Sequence, residues 1–77
     1  MSKLAKVTRD EVVRSVSRGL IDFGYPDADE TMISEILDSW LAGKRFPDLP
    51  HGVIGAFAED QFKQLDAAGL KLSDLTA

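Results

Sequence analysis

The stretch Thr8–Pro26, TRDEVVRSVSRGLIDFGYP, decides the fold, because a helix start, an apolar stripe and a helix stop follow one another within it. Thr8-Arg9-Asp10-Glu11 fits a capping box, in which the Thr8 hydroxyl accepts from the Glu11 backbone N–H and the Glu11 carboxylate accepts from that of Thr8. Val7 and Val12 stand at the two positions of a hydrophobic staple. Val12, Val13, Val16, Leu20 and Phe23 then recur at spacings of three and four as one apolar stripe. Gly24 is placed to end the helix in the left-handed region, with Tyr25 positioned to cover Leu20 and Pro26 confirming the stop.

Working outward, Asp27-Ala28-Asp29-Glu30 opens a second helix, where either aspartate serves as a cap and the acids suit the positive end of the helix dipole. Ile33, Ile36, Leu37, Trp40 and Leu41 fit the amphipathic template, and Gly43 ends it. Lys44–Pro50 reads as a loop, because each proline disfavours helix in the residue before it. A third helix is expected from Pro50, with Ile54, Phe57, Ala58, Gln61, Phe62 and Leu65 facing inward and Gly69-Leu70 as a second Schellman stop. No stretch alternates as a strand does.

The sequence therefore predicts an all-α fold, a small three-helix bundle with helices near residues 9–23, 28–42 and 50–68 and room for a short C-terminal helical turn at Ser73-Asp74-Leu75. The expected core is Val13, Val16, Leu20, Ile33, Ile36, Leu37, Trp40, Phe57, Phe62 and Leu65. Residues 1–7 are expected to form a flexible basic segment and residues 8–77 a single helical domain. Helical glycines cost stability, so Ser15 and Gly19 on the first helix, with Gly52, Gly55 and Ala56 on the third, suggest a close approach of those two helices.

Chain length and composition narrow the function classes. At 77 residues there is room for one core, which excludes barrels and two-domain enzymes, and 44% hydrophobic with 29% charged residues describe a globular domain. With no cysteine there is neither a disulfide framework nor a zinc–thiolate site. The first six residues contain no apolar segment, so no signal peptide is visible and a cytoplasmic location is expected. The lack of asparagine, with ample Ala, Asp, Gly and Leu, is compatible with a bacterial or bacteriophage source.

Leu20-Ile21-Asp22-Phe23-Gly24-Tyr25-Pro26 is similar, over about seven residues, to the Met-Gly-Phe/Tyr loop of ubiquitin-associated domains, where a glycine and an aromatic residue after the first helix form a binding surface. Phe23 stands where the methionine is usual, and the Ala-Leu pattern of the second helix and the short third helix are absent. Nothing is carried over from that family to this chain.

Charge carries most of what the sequence says about partners. The net charge is −4, yet residues 1–18 are basic through Lys3, Lys6, Arg9, Arg14 and Arg18, while residues 19–48 hold seven acids against Lys44 and Arg45. Asp10, Arg14, Arg18 and Asp22 follow at i+4 and suggest a self-neutralising ladder on the first helix. On the second helix Glu30, Glu35 and Asp38 have no basic residue at i+4, which makes them the candidate docking face for a basic partner. Phe46, Leu49 and Val53 lie near its end as candidate apolar anchors. His51, the single histidine, has no nucleophile at a recognisable spacing, and the acids at residues 27–31 lack the glycine and glutamate of a calcium loop.

These observations predict a small non-enzymatic module with no cofactor, catalytic residue or metal site. It would bind a basic protein or associate with its own copy, through Glu30, Glu35, Asp38, Phe46, Leu49 and Val53. The alternative is a nucleic-acid-associated regulator that uses the basic N-terminal segment and first helix. Glu59 and Asp60, expected to face outward from the third helix, count against that alternative.

Overall fold

The computed structural model describes residues 8–70 and residue 72. Three α-helices run over Arg9–Phe23 (α1), Glu30–Leu41 (α2) and Val53–Leu65 (α3), and a π-type turn, Asp66–Leu70, continues α3. Together they form an all-α three-helix bundle with no strand among the described residues. The expectations for Met1–Val7, including the staple at Val7 and the flexible segment, and for a turn at residues 73–75 lie outside the described residues.

Both ends of α1 form as the local sequence dictates. Thr8 and Glu11 make the reciprocal capping box, at 3.2 Å for the Glu11 amide to the Thr8 hydroxyl and 3.0 Å for the return bond. At the other end the Tyr25 amide donates to the Leu20 carbonyl at 2.9 Å and that of Gly24 to Ile21 at 3.1 Å. This Schellman geometry needs a left-handed residue, and Gly24 sits at φ 123°. Pro26 then occupies the second position of a turn closed by the Ala28 amide on the Tyr25 carbonyl. Ser17, buried on α1, donates its hydroxyl to the Ala28 carbonyl at 2.5 Å and so fixes this turn to the helix.

Of the two candidate caps for the second helix, Asp29 is used, accepting from the Met32 amide at 2.9 Å. The helix begins at Glu30 rather than 28, since Ala28 is taken into the preceding turn and buried. Its end repeats the Schellman pattern, with Lys44 donating to Ser39 and Gly43, at φ 102°, to Trp40.

The third helix departs most from expectation. It starts at Val53, not Pro50, because His51 and Gly52 turn through positive φ, 70° and 56°, before the chain becomes helical. Gly55 is required by this loop and not by α1: a Cβ there would lie 2.5 Å from the Pro50 carbonyl oxygen, whereas the Cβ position at Gly19 meets nothing within 4 Å. The expected glycine-mediated contact of the first and third helices is therefore not what these residues provide.

The core contains Val12, Val13, Val16 and Leu20 of α1, Ile33, Ile36, Leu37 and Trp40 of α2, and Ala58 and Phe62 of α3. Ala28, Leu49 and Leu72, which periodicity within a helix does not reach, complete it. Phe57 and Leu65, expected inside, are only partly buried against it. Trp40 and Phe62 pack with their rings tilted by 43° and centroids 5.6 Å apart, and join α2 to α3. Leu72 is held in place by its amide, which donates to the Asp66 carboxylate at 3.1 Å.

Candidate functional site

The acids of the second helix are answered across the bundle rather than along the helix. Arg9 of α1 reaches Asp38 at 2.7 Å and also donates to the Ser34 hydroxyl and carbonyl. Arg14 approaches Glu30 at 3.9 Å, and His51, from the loop before α3, is 2.7 Å from Glu35. Glu30, Glu35 and Asp38 remain largely exposed, but each has a basic neighbour, so the unanswered acidic face read from i+4 spacing is corrected by tertiary contacts. The expected Asp10-to-Arg14 pair is likewise replaced, since Arg14 turns to Glu30.

The three apolar candidates separate. Leu49 is 4% exposed and belongs to the core, so it is not available as an anchor. Phe46 and Val53 are exposed. Glu59, expected to face solvent, is instead buried at the centre of a clamp on the loop. Its carboxylate lies 3.7 Å from the Arg45 guanidinium and accepts from the Phe46 amide at 3.4 Å. Arg45 in turn covers the Trp40 ring at 4.7 Å and donates to the Trp40 carbonyl at 3.0 Å. A cation over an indole face and against a helix C-terminus is favourable in both respects. Residues 44–46 are thereby tied to the scaffold.

A second surface lies at the opposite end of α1 and was not read as a site from the sequence. Phe23, counted there as the last residue of the apolar stripe, is 68% exposed. Its ring stands 6.0 Å from Tyr25 and 5.7 Å from Phe57, and those two are 5.2 Å apart, so α1, the following turn and α3 each contribute one ring to a cluster. Beside it is a hollow of about 230 Å³, floored by Gly19 and Leu20, walled by Phe23 and Phe57, and rimmed by Asp60 and Gln61. Val53, one turn before Phe57 on α3, extends the apolar character of that helix face. The sequence signal for this site was the Gly-aromatic helix stop itself, since Gly24 sends the chain back so that Tyr25 meets Phe23.

Another hollow, of about 350 Å³, is lined by Arg14, Ser17, Arg18, Ile21, Asp22 and Glu30. Its charges are of mixed sign, and Arg14 and Glu30 approach one another there. Among the described residues no group of three His, Asp or Glu side chains is placed to hold a metal ion. No described helix is long and apolar enough to cross a membrane.

Fold and surface together define a small helical bundle with an aromatic cluster in which Phe23 is exposed and Tyr25 and Phe57 are partly buried. Comparison with protein-family models, with curated proteins and with solved structures returns no match.

Proposed function

We propose that this chain is a non-enzymatic protein-binding module whose interface is the aromatic end formed by Phe23, Tyr25 and Phe57. The observation that carries this reading is Phe23, which is 68% exposed and yet ordered by ring contacts with Tyr25 and Phe57. Clustered aromatic rings held by two helices and a turn offer apolar area with little side-chain entropy left to lose, which is the profile of an interface anchor. The acidic face of α2 is a weaker candidate, because Arg9, Arg14 and His51 already neighbour its carboxylates and a partner's cations would have to compete with them. Nucleic-acid binding loses support for a related reason: Arg9 is held by Asp38 and Ser34, and Arg14 is near Glu30.

The test is photo-cross-linking in the cells that make the protein, with p-benzoylphenylalanine at position 23 and, separately, at position 38. Position 23 should yield a protein adduct that the second-site change Phe57→Ser abolishes. Adducts at position 38 with none at position 23 would overturn the assignment and restore the acidic face.

A further inference from the structure

The three helices present different faces to solvent. α1 exposes Glu11, Arg14, Arg18 and Asp22, and α2 exposes Glu30, Glu35 and Asp38. α3 and the turn that continues it carry Val53, Phe57, Asp60, Gln64 and Ala67 at spacings of four and three, which puts them on one outward stripe. Phe57 is partly buried and the other four are exposed. The turn leaves helical dihedrals only at Gly69, φ 98°, so Ala67 and Ala68 still follow the helix. Phe23 stands against Phe57 along the border toward α1, and the exposed Lys63 lies on the opposite border. The stripe is mostly uncharged, with one acid near its middle and one base at its edge.

Both charges are open to a partner. Neither Asp60 nor Lys63 has an ion pair among the described residues, although they stand three apart on one helix. The Asp60 carboxylate accepts from Gln64 at 2.9 Å, a neutral donor that orients it without offsetting its charge. Asp66, the next acid along the chain, is turned to the Leu72 amide.

A two-fold axis across the stripe lays α3 antiparallel on its own image and sets each border against the same border of the other copy. When residue 60 of one helix is level with residue 63 of the other, Asp60 of each copy faces Lys63 of the other. Two ion pairs then form at once, and neither acid faces itself. In that register Phe57 comes between Gln64 and Ala68 of the other copy. Those residues follow Phe57 by seven and eleven positions in the chain and therefore share its border. Phe57, with Phe23 beside it, rests against the small side chains of Ala67 and Ala68.

We infer, on the reading of the aromatic end as the binding surface, that two copies of this chain associate about a two-fold axis through the outward stripe of α3, covering Phe23 and Phe57 and exchanging ion pairs between Asp60 and Lys63. Charge complementarity decides for a second copy as the occupant. A foreign partner needs an acid and a base of its own at matching places, whereas the copy presents both by symmetry.

Sedimentation equilibrium of the full chain, from micromolar to millimolar concentration, should show monomer and dimer in exchange. Asp60→Lys alone and Lys63→Asp alone each set like charges together at both contacts and should weaken the dimer at least about tenfold. An equimolar mixture of those two variants has opposite charges at both contacts and should dimerise as the unsubstituted chain does. The double variant, Asp60→Lys with Lys63→Asp in one chain, should do the same. Phe23→Ser should weaken the dimer, and Glu35→Gln with Asp38→Asn should leave it unchanged. All the substituted residues are exposed, and far-UV circular dichroism verifies that each variant folds. Recovery on mixing also shows that the single variants fail through charge and not through misfolding.

A chain that stays monomeric throughout overturns the second copy as occupant, and the cross-link from position 23 then decides the binding surface separately. An adduct at position 23 formed only with a different protein overturns it as well. A dimer that Phe23→Ser dissociates but the charge variants leave intact overturns the pairing of α3 with its image while leaving the surface. A dimer that Glu35→Gln with Asp38→Asn dissociates, and Phe23→Ser does not, overturns both.

Discussion

Asp22 and Asp38 occupy equivalent places on two helices of the same bundle. Each is an exposed aspartate in the last turn of its helix, where the dipole disfavours a carboxylate, and neither helix has a basic residue in that turn. Asp38 is met by Arg9 at 2.7 Å, and Arg45 caps the backbone beyond it, whereas Asp22 has no ion pair among the described residues and lines the mixed-charge hollow with Arg14 and Arg18. The same contrast holds for aromatic rings, since Trp40 and Phe62 are closed within the core while Phe23 is left in solvent. The α2 end ties its acid and its loop to cations of the same chain, with Phe46 exposed and the buried Trp40 indole N–H lacking an acceptor among the described residues, whereas the α1 end leaves Phe23 in solvent and Asp22 without an ion pair. A sequence count of acids and bases ranks the two the other way, because it sees neighbours along a helix and not across the bundle.

The largest expected effects separate the two kinds of ring. Phe62 is fully buried, so Phe62→Ala should cost about 3–5 kcal/mol in urea unfolding, and Leu37→Ala about 2–5 kcal/mol. Phe23→Ala should cost less than about 1 kcal/mol and instead abolish binding of the protein captured by cross-linking from position 23. A Phe23 variant as unstable as the Phe62 variant would show that the exposed cluster holds the fold together, and the contrast would collapse.

A smaller effect tests how firmly the closed end is fixed. Glu59→Ala removes the acceptor of the Phe46 amide and the partner of a half-exposed Arg45, and should cost about 1–3 kcal/mol in the same assay. Ser17→Ala leaves the Ala28 carbonyl without its buried donor and should cost about 1–2 kcal/mol.

The smallest effects sharpen the comparison most, because their signs differ. Asp38→Asn breaks a surface pair and should destabilise by about 0.2–1 kcal/mol, less whatever the helix dipole returns. Asp22→Asn has no pair to lose and should stabilise by about 0.3–1 kcal/mol at low ionic strength. Unfolding curves that move in the same direction would mean that Asp22 is compensated after all.

Local signals in the sequence were read correctly where the chain satisfies its own backbone nearby. The Thr8–Glu11 box and the Gly24 and Gly43 stops involve residues at most five apart, the stripe from Ile33 to Trp40 steps by three or four within one helix, and all form. Leu49, Glu59 and Leu72 were missed for one reason: each is buried by contacts distant in sequence, in a loop, a clamp and a chain end that no helical period describes. The start of α3 was misplaced because Pro50 suits a first helical turn, while the positive φ at His51 is a property of the loop closing onto Leu49 and Gly55. For the candidate site, Gly24-Tyr25 was legible as a stop and Phe23 as apolar. That Phe57 would meet both rings, and that Arg9 would leave α1 to serve α2, depends on how the helices pack.

The chain contains four phenylalanines, Phe23, Phe46, Phe57 and Phe62, spread over the two ends and the core. Labelled with 4-fluorophenylalanine, they report on all three regions in one ¹⁹F spectrum titrated with the protein captured by cross-linking from position 23. The account predicts that the Phe23 and Phe57 resonances shift together and saturably, while Phe46 and Phe62 stay in place. Movement of Phe46 with Phe23 and Phe57 unchanged would contradict it and return the interface to the α2 end of the molecule.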